Sequence, residues 1–128
     1  MTDPISDMLT RIRNALLVHK PEVVVPHSQL KARLADLLVR EGYLQSVEVV
    51  EDPNKSLRLQ LRYEDGQAAI RNLKRISKPG RRVYVKSGDL PKVLSGLGLA
   101  VISTSTGLMT NREAKEKHLG GEVICEIY

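Results

Sequence analysis

The 128-residue chain contains no tryptophan and no phenylalanine, and only four tyrosines. A core must therefore be built from leucine, valine, isoleucine and alanine. Because Cys125 is the single cysteine, an internal disulfide is excluded and a reducing compartment is expected. The sequence has no signal-peptide pattern and no run of about 18 apolar residues. We therefore expect a soluble, cytoplasmic protein that does not enter a membrane.

Residue sets typical of catalysis or metal binding are also missing. The three histidines, His19, His27 and His118, are far apart in sequence, and one cysteine cannot build a zinc site. No phosphate-binding P-loop occurs, and the glycines of 96–98 precede a predicted strand, whereas those of a dinucleotide fingerprint follow one. The serines of 103–106 lack the G-x-S-x-G pattern of a nucleophile elbow. We expect no enzyme, no cofactor and no metal.

Positive charge is concentrated in one half of the chain. The net charge of +5 divides into −1 for residues 1–65 and +6 for residues 66–128. Within 71–92 a single acidic residue, Asp89, accompanies eight basic ones: Arg71, Lys74, Arg75, Lys78, Arg81, Arg82, Lys86 and Lys92. A field of this sign attracts polyanions. The alternative interpretation is a solvated face that keeps the protein in solution.

The first half has the pattern of a compact α+β unit. Asp3-Pro4 is typical of a helix start, and apolar residues at helical spacing continue to Leu16. A second helix is predicted between Ser28, as N-cap, and Gly42. Three strands and a turn complete the unit: strands 22–25, 43–50 and 57–61, and a turn at 52–55.

The second half is predicted to be a separate domain. The polar, glycine-containing stretch 64–67 marks the boundary, so we expect domains at 1–64 and 65–128 that pack against each other. Turn and periodicity signals predict the remaining elements: strands 71–77, 82–86, 99–102 and 122–128, a turn at 77–80, and helices 89–94 and 111–118. In the last strand, Val123, Cys125 and Ile127 are predicted to share one face, which makes Cys125 a small core residue.

Strand 82–86 is predicted to present an aromatic ring between two cations. Arg82, Tyr84 and Lys86 alternate with two valines and therefore share one face. A ring flanked by cations suits stacking on a base while nearby phosphates are neutralised. A half-buried tyrosine on a solvated sheet face is the alternative.

The stretch Ser103-Thr104-Ser105-Thr106-Gly107 follows a buried strand and is the most distinctive feature of the chain. Hydroxyls are compact donors and acceptors that can contact sugar, phosphate or base edges without bulk. Gly107 allows the backbone to turn, or a partner to approach closely. The alternative is a polar strand end whose hydroxyls bond their own turn.

Several separated motifs together resemble one family, the eighth protein of the small ribosomal subunit in its bacterial form. The similarity extends over essentially the whole chain. The matching stretches are Asp3-Pro4-Ile5, Asp7 to Asn14, Arg75 to Gly80, Leu90 to Val93, Ser103 to Thr110, and Gly120-Gly121-Glu122-Val123. The most specific of these is Ser103 to Thr110.

The resemblance implies a fold and a function. It implies two small, tightly packed α/β domains, the second with a short, mostly antiparallel sheet that carries the RNA-binding face. It implies a structural constituent of the small subunit that binds the central domain of 16S ribosomal RNA during assembly and contacts neighbouring ribosomal proteins. In some bacteria the family also represses translation through its own messenger RNA. We expect a monomer when the protein is free.

The resemblance also assigns residues to the RNA. It places Ser103, Thr104, Ser105, Thr106 and Gly107 at the RNA, with Tyr84 and Glu122 beside them. Backbone contacts are expected from the basic segment and the first domain: Arg81, Arg82, Lys86, Lys31, Lys55, Arg11, Arg13 and Asn14. Glu122 would repel phosphate unless it accepts from a base amino group or orients a hydroxyl of 103–106.

Two departures from the family limit this transfer, and two other functions remain as alternatives. Position 106 is threonine, where many members carry lysine, and the loop 52–55 that carries Lys55 is short. The main alternative is a scaffold subunit whose basic half meets an acidic protein. A DNA-binding regulator is a further alternative, although no helix-turn-helix or basic-zipper pattern supports it.

Overall fold

The computed structural model describes residues 3–51 and 53–128, and it confirms a mixed α+β fold. Two compact units can be distinguished, residues 4–71 and residues 72–128 together with Asp3. The domain boundary that we place at 64/65 from the sequence stays a prediction. Asp52, the first residue of the predicted turn 52–55, lies outside the described residues.

The first unit contains two helices and a three-stranded antiparallel sheet of order β1-β3-β2, followed by a short hairpin. Its elements are α1 (Pro4–Leu17), β1 (Glu22–Pro26), α2 (Gln29–Arg40), β2 (Leu44–Val50), β3 (Ser56–Leu61), β4 (Tyr63–Glu64) and β5 (Gln67–Ala68). The leucines of β3, Leu57, Leu59 and Leu61, are buried at alternate positions, as the period-2 pattern predicted.

Both ends of α2 have the predicted chemistry. The Ser28 hydroxyl accepts a hydrogen bond from the Lys31 amide at 3.1 Å, which satisfies one of the unpaired donors of the first turn. Gly42 has φ +84°, a conformation that favours glycine and ends the helix. α1 begins at Pro4 as predicted and buries an apolar face.

The polar stretch 64–67 forms a tight hairpin turn between β4 and β5. Its two central residues, Asp65 and Gly66, both have positive φ, 52° and 78°. An Asp-Gly pair is favoured in such two-residue turns, because their twist matches that of the flanking strands. The stretch interpreted from the sequence as a domain boundary is therefore a small hairpin within unit 4–71.

The second unit is a five-stranded antiparallel sheet with one helix. Its elements are β6 (Leu73–Arg75), β7 (Tyr84–Val85), β8 (Leu99–Thr104), β9 (Gly107–Thr110), α3 (Asn111–Glu116) and β10 (Gly121–Ile127). The strand order is β6-β10-β8-β9, and β7 also pairs with β10, beyond the point where β6 ends. A core cluster lies on one face of this sheet: Val93, Ala100, Ile102, Met109, Ala114 and Val123.

The helix predicted at 89–94 is wrong. Two short 3₁₀ turns, Ser87–Asp89 and Leu94–Gly96, lie on either side of an extended segment. Leu90 has ψ 135°, the extended conformation that a following proline, here Pro91, imposes. The steric effect of proline therefore outweighs the helical spacing of the apolar residues.

A capping box begins α3, and the helix is shorter than the predicted 111–118. Thr110 Oγ1 accepts from the Glu113 amide and the Glu113 carboxylate accepts from the Thr110 amide, at 3.2 and 3.3 Å. The helix ends at Glu116, since His118 takes φ 55°, outside the right-handed helical region.

The face prediction for β10 is also wrong. The register shifts between Val123, which faces Ile102, and Cys125, which faces Val101. A bulge at Ile124 thus moves Cys125 to the opposite face from Val123. Cys125 is fully buried all the same.

Candidate nucleic-acid interface

Three predicted site residues form one row across neighbouring strands of the second unit. Glu122 of β10 lies opposite Tyr84 of β7 on one side and opposite Ser103 of β8 on the other. Residues directly opposite in antiparallel pairs point to the same face, so their side chains are neighbours. The Tyr84 side chain is 70% exposed and presents its ring to solvent. The row combines an aromatic face, a carboxylate and a hydroxyl.

Two consecutive glycines allow the strands to come this close. A Cβ at Gly121 would lie 2.1 Å from the Ser103 carbonyl oxygen, and one at Gly120 would lie 2.4 Å from the Val85 carbonyl oxygen. Neither position has room for a side chain. From the sequence, Gly120-Gly121 belongs to a stretch that resembles the family, but we assigned the two glycines no role in strand packing. Two consecutive glycines immediately before a strand are a pattern that could have predicted a close approach of two backbones.

The Glu122 carboxylate is held by two donors from the segment between β6 and β7. Ser77 Oγ and Arg82 Nη1 both donate to Glu122 Oε2, the latter at 3.0 Å. The hydroxyl that Glu122 orients is thus that of Ser77, and not one of 103–106 as we had considered. Its negative charge is compensated by Arg82, which reduces repulsion of a nearby phosphate. Ser77 was not among the predicted site residues.

The hydroxyl stretch forms the β8–β9 hairpin, and its hydroxyls fall into two groups. Thr104 Oγ1 accepts from the Thr106 amide at 3.2 Å and donates to the Gly107 carbonyl at 2.9 Å, so it closes its own turn. Gly107 has φ +121°, which favours glycine. By contrast, the side chains of Ser103 and Ser105 bond to no other described residue. The alternative of a hydroxyl that bonds its own turn therefore applies to Thr104, whereas contact of Ser103 and Ser105 with a nucleic acid stays a prediction.

The basic segment contains one internal cation. The Arg75 guanidinium is only 9% exposed, pairs with Asp3 and donates to the Ile124 carbonyl at 2.7 Å. Arg81 and Lys78 close a tight turn through their backbones, as predicted for 77–80, and both are exposed. Arg82 and Lys86 are exposed as well. The positive surface is thus formed by the turn 77–80 and by the residues beside β7. Arg75 is not part of it.

The predicted residues of the first unit do not form a comparable row. Arg11 on α1 donates to Asp7 at 3.0 Å and to the Val24 carbonyl at 3.3 Å, and Asn14 is exposed beside it. Lys31, which we expected to contact the RNA backbone, is only 5% exposed and lies among the buried residues of α2. Burial lowers the pKa of Lys31, while the Asp7 carboxylate raises it.

Two further predicted residues lie on the surface of the first unit, and the thiol of Cys125 is unreactive. Arg13 and Lys55 are exposed, on α1 and just before β3. Burial raises the pKa of the Cys125 thiol to about 12, which keeps it protonated and unreactive at neutral pH.

Within residues 3–51 and 53–128, no group of three or more metal-ligating side chains occurs, and no helix is long and apolar enough to span a membrane.

The arrangement provides what binding of a folded nucleic acid needs. Tyr84 offers a stacking surface, Glu122 retains one oxygen, Oε1, without a hydrogen bond to a described residue, and Ser103 and Ser105 offer hydroxyls. Exposed cations lie along the segment that leads into β7. Neutral hydroxyls and a compensated carboxylate can distinguish base edges and 2′-hydroxyls, whereas the cations attract any phosphate backbone.

Comparison with known proteins identifies the class of protein, that of ribosomal proteins. The family described as ribosomal protein S8 matches residues 3–128. The small ribosomal subunit protein uS8 of Natranaerobius thermophilus is 53% identical over 130 aligned positions, which cover 100% of this chain and 98% of the relative. The protein of the same name from Streptococcus pyogenes serotype M5 is 54% identical with the same coverage. The chain belongs to the ribosomal protein S8 family.

Proposed function

We propose that this chain is a structural constituent of the small ribosomal subunit that binds the central domain of 16S ribosomal RNA during assembly. The observation that carries the proposal is the row of Tyr84, Glu122 and Ser103 beside a hairpin with two unengaged serine hydroxyls. RNA with non-helical features is read in this way, by stacking and by bonds to base edges and 2′-hydroxyls. The names of the relatives agree with a ribosomal role.

The proposal assigns different tasks to different residues. Ser103, Ser105, Tyr84 and the free oxygen of Glu122 select the RNA, and Thr104, Thr106 and Gly107 fix the hairpin that presents them. Sequence-independent attraction comes from exposed cations: Arg81, Arg82 and Lys86. The first unit contributes backbone contacts through its exposed residues Arg11, Arg13, Asn14 and Lys55, whereas Lys31 is buried.

The wider setting follows from the same proposal. The protein acts in the cytoplasm, on the ribosome, without catalysis, and it is a monomer when free. Neighbouring small-subunit proteins contact it in the assembled particle. An RNA of similar shape in its own messenger would bind the same face, which would allow translational self-repression.

Binding of the wild-type protein to two RNAs tests the proposal. One RNA is the central domain of a bacterial 16S ribosomal RNA, such as that of Streptococcus pyogenes, and the other has the same length and composition in scrambled order. We expect a preference for the ribosomal fragment that persists as salt rises, while both affinities fall. Equal affinities for the two RNAs at every salt concentration would favour the scaffold alternative, in which an acidic protein is the partner.

A further inference from the structure

Ser77 lies at the centre of a hydrogen-bonded chain that ends at the predicted RNA-binding face. Its side chain is fully buried. Ser77 Oγ accepts from the Val83 amide at 3.1 Å and donates to Glu122 Oε2, so both its donor and one acceptor site are used. A hydroxyl that is buried and bonded in both directions has a fixed orientation.

The backbone around Ser77 is fixed by the same strand that carries Glu122. The Ser77 amide donates to the Val123 carbonyl at 3.1 Å, and the Val123 amide donates to the Val83 carbonyl at 2.9 Å. The residue next to Glu122 therefore holds both ends of the turn that supplies Ser77 and Arg82. The position of the Ser77 hydroxyl is therefore fixed relative to the Glu122 carboxylate by a short series of covalent and hydrogen bonds.

The direction of these bonds determines which part of Glu122 remains available. Ser77 and Arg82 both bond Oε2, and the Glu122 side chain is only 16% exposed. Oε1 bonds to no described residue, yet it is not closed off from solvent. One carboxylate oxygen is thus occupied inside the protein, and the other is left as a single acceptor between Tyr84 and Ser103.

We infer that Ser77 is a positioning residue for RNA selection, which acts by fixing the Glu122 carboxylate so that Oε1 accepts from a donor group of the RNA. This inference rests on the proposed function and adds to it a buried residue that does not touch the RNA. Arg82 supplies the opposing charge but is half exposed, so its side chain alone cannot fix the carboxylate plane. Without the serine hydroxyl, Glu122 can rotate, and the single acceptor is no longer held in place.

The test compares Ser77→Ala with Glu122→Ala and with the double variant, on the central-domain fragment and on the scrambled RNA. We expect Ser77→Ala to lower affinity for the fragment by about fivefold, the effect of one or two lost hydrogen bonds, with no change for the scrambled RNA or in the salt slope. In the Glu122→Ala background the serine change should cause no further loss of preference. Ser56→Ala is the control, since the Ser56 hydroxyl lies in the first unit and, among the described residues, donates only to the Asn54 carbonyl.

A second variant separates positioning from folding. Ser77→Cys keeps the shape of the side chain, with a somewhat larger atom at its end, and replaces a strong donor by a weak one without leaving a cavity. Circular dichroism and thermal unfolding are measured on every variant. The inference is wrong, while the proposed function stands, if Ser77→Ala and Ser77→Cys keep the wild-type preference for the fragment. It is also wrong if they lower the affinity for both RNAs equally and this loss adds to that of Glu122→Ala. If the wild type itself shows no preference, the proposed function fails and the inference with it.

Discussion

The Arg75 guanidinium donates to both carboxylate oxygens of Asp3, at 3.1 and 3.3 Å, across 72 positions of sequence. The two side chains are 9% and 17% exposed, and the third arm of Arg75 donates to a strand carbonyl. Such a two-bond pair is geometrically specific and is little screened by salt. Arg75 therefore stabilises the second unit from within the basic segment.

Loss of this pair should destabilise the fold, whereas removal of a neighbouring exposed cation should not. We expect Arg75→Ala to lower the free energy of unfolding by about 3 kcal/mol, because the nearly buried Asp3 carboxylate loses both bonds from Arg75, while the Ile124 carbonyl keeps its bond from the Ile76 amide. Lys74→Ala, at the adjacent exposed position, should change it by less than about 0.5 kcal/mol. Urea unfolding followed by circular dichroism measures both. Equal effects of the two substitutions would contradict the internal role of Arg75.

The Gly121 position should not tolerate even one methyl group. Because a Cβ there would lie 2.1 Å from the Ser103 carbonyl oxygen, Gly121→Ala must separate β10 from β8. We expect a loss of about 2 kcal/mol in unfolding free energy, the cost of an overpacked site. Gly88→Ala is the matched control, since a Cβ at Gly88 would meet nothing within 4 Å. Unfolding curves that coincide for the two variants would show that the strands are not this close.

Removal of the Thr104 hydroxyl, which bonds its own turn, should cost more stability than removal of the Ser105 hydroxyl. Thr104→Val removes the group that bonds the Thr106 amide and the Gly107 carbonyl, which should cost about 1 kcal/mol. Ser105→Ala removes an exposed hydroxyl that has no partner in the described part of the chain, so stability should stay within about 0.5 kcal/mol of wild type. Thermal unfolding of both variants tests this. A larger loss for Ser105→Ala than for Thr104→Val would reverse the assignment.

Cys125 should make stability depend on pH in the alkaline range. Its folded-state pKa of about 12 lies above the ordinary value of 9.0. The unfolded thiol therefore loses its proton first, and this contribution to stability is complete below about pH 9 and declines between pH 9 and pH 12. From pH 8 to pH 10, wild type should lose about 1 kcal/mol more than Cys125→Ala. Urea unfolding at the two pH values measures the difference, and identical losses would show that the thiol ionises normally.

Local signals predicted much of the fold because their physical causes are local. The Ser28 cap, the positive φ of Gly42, the capping box at Thr110 and the alternation in β3 each depend on residues within a few positions of one another. The resemblance to the family and the charge distribution selected the part of the second unit where Tyr84, Glu122 and Ser103 meet.

The features that the sequence did not predict depend on long-range contacts. The pairing of Arg75 with Asp3, the bond from Ser77 to Glu122 and the burial of Lys31 require the tertiary fold. The bulge at Ile124 reverses a face that strict alternation assigns to Cys125. The helix expected at 89–94 failed for a local reason, since Pro91 outweighed apolar spacing.

The most direct test of the central claim is the RNA preference of a Ser103→Ala/Ser105→Ala double variant across a salt series. Neither hydroxyl bonds to a residue within 3–51 or 53–128, so their removal should leave stability and the salt slope unchanged. We predict that the variant binds the central-domain fragment no better than the scrambled RNA, while wild type prefers the fragment at every salt concentration. A double variant that keeps the full wild-type preference would contradict the claim that this hairpin reads the RNA.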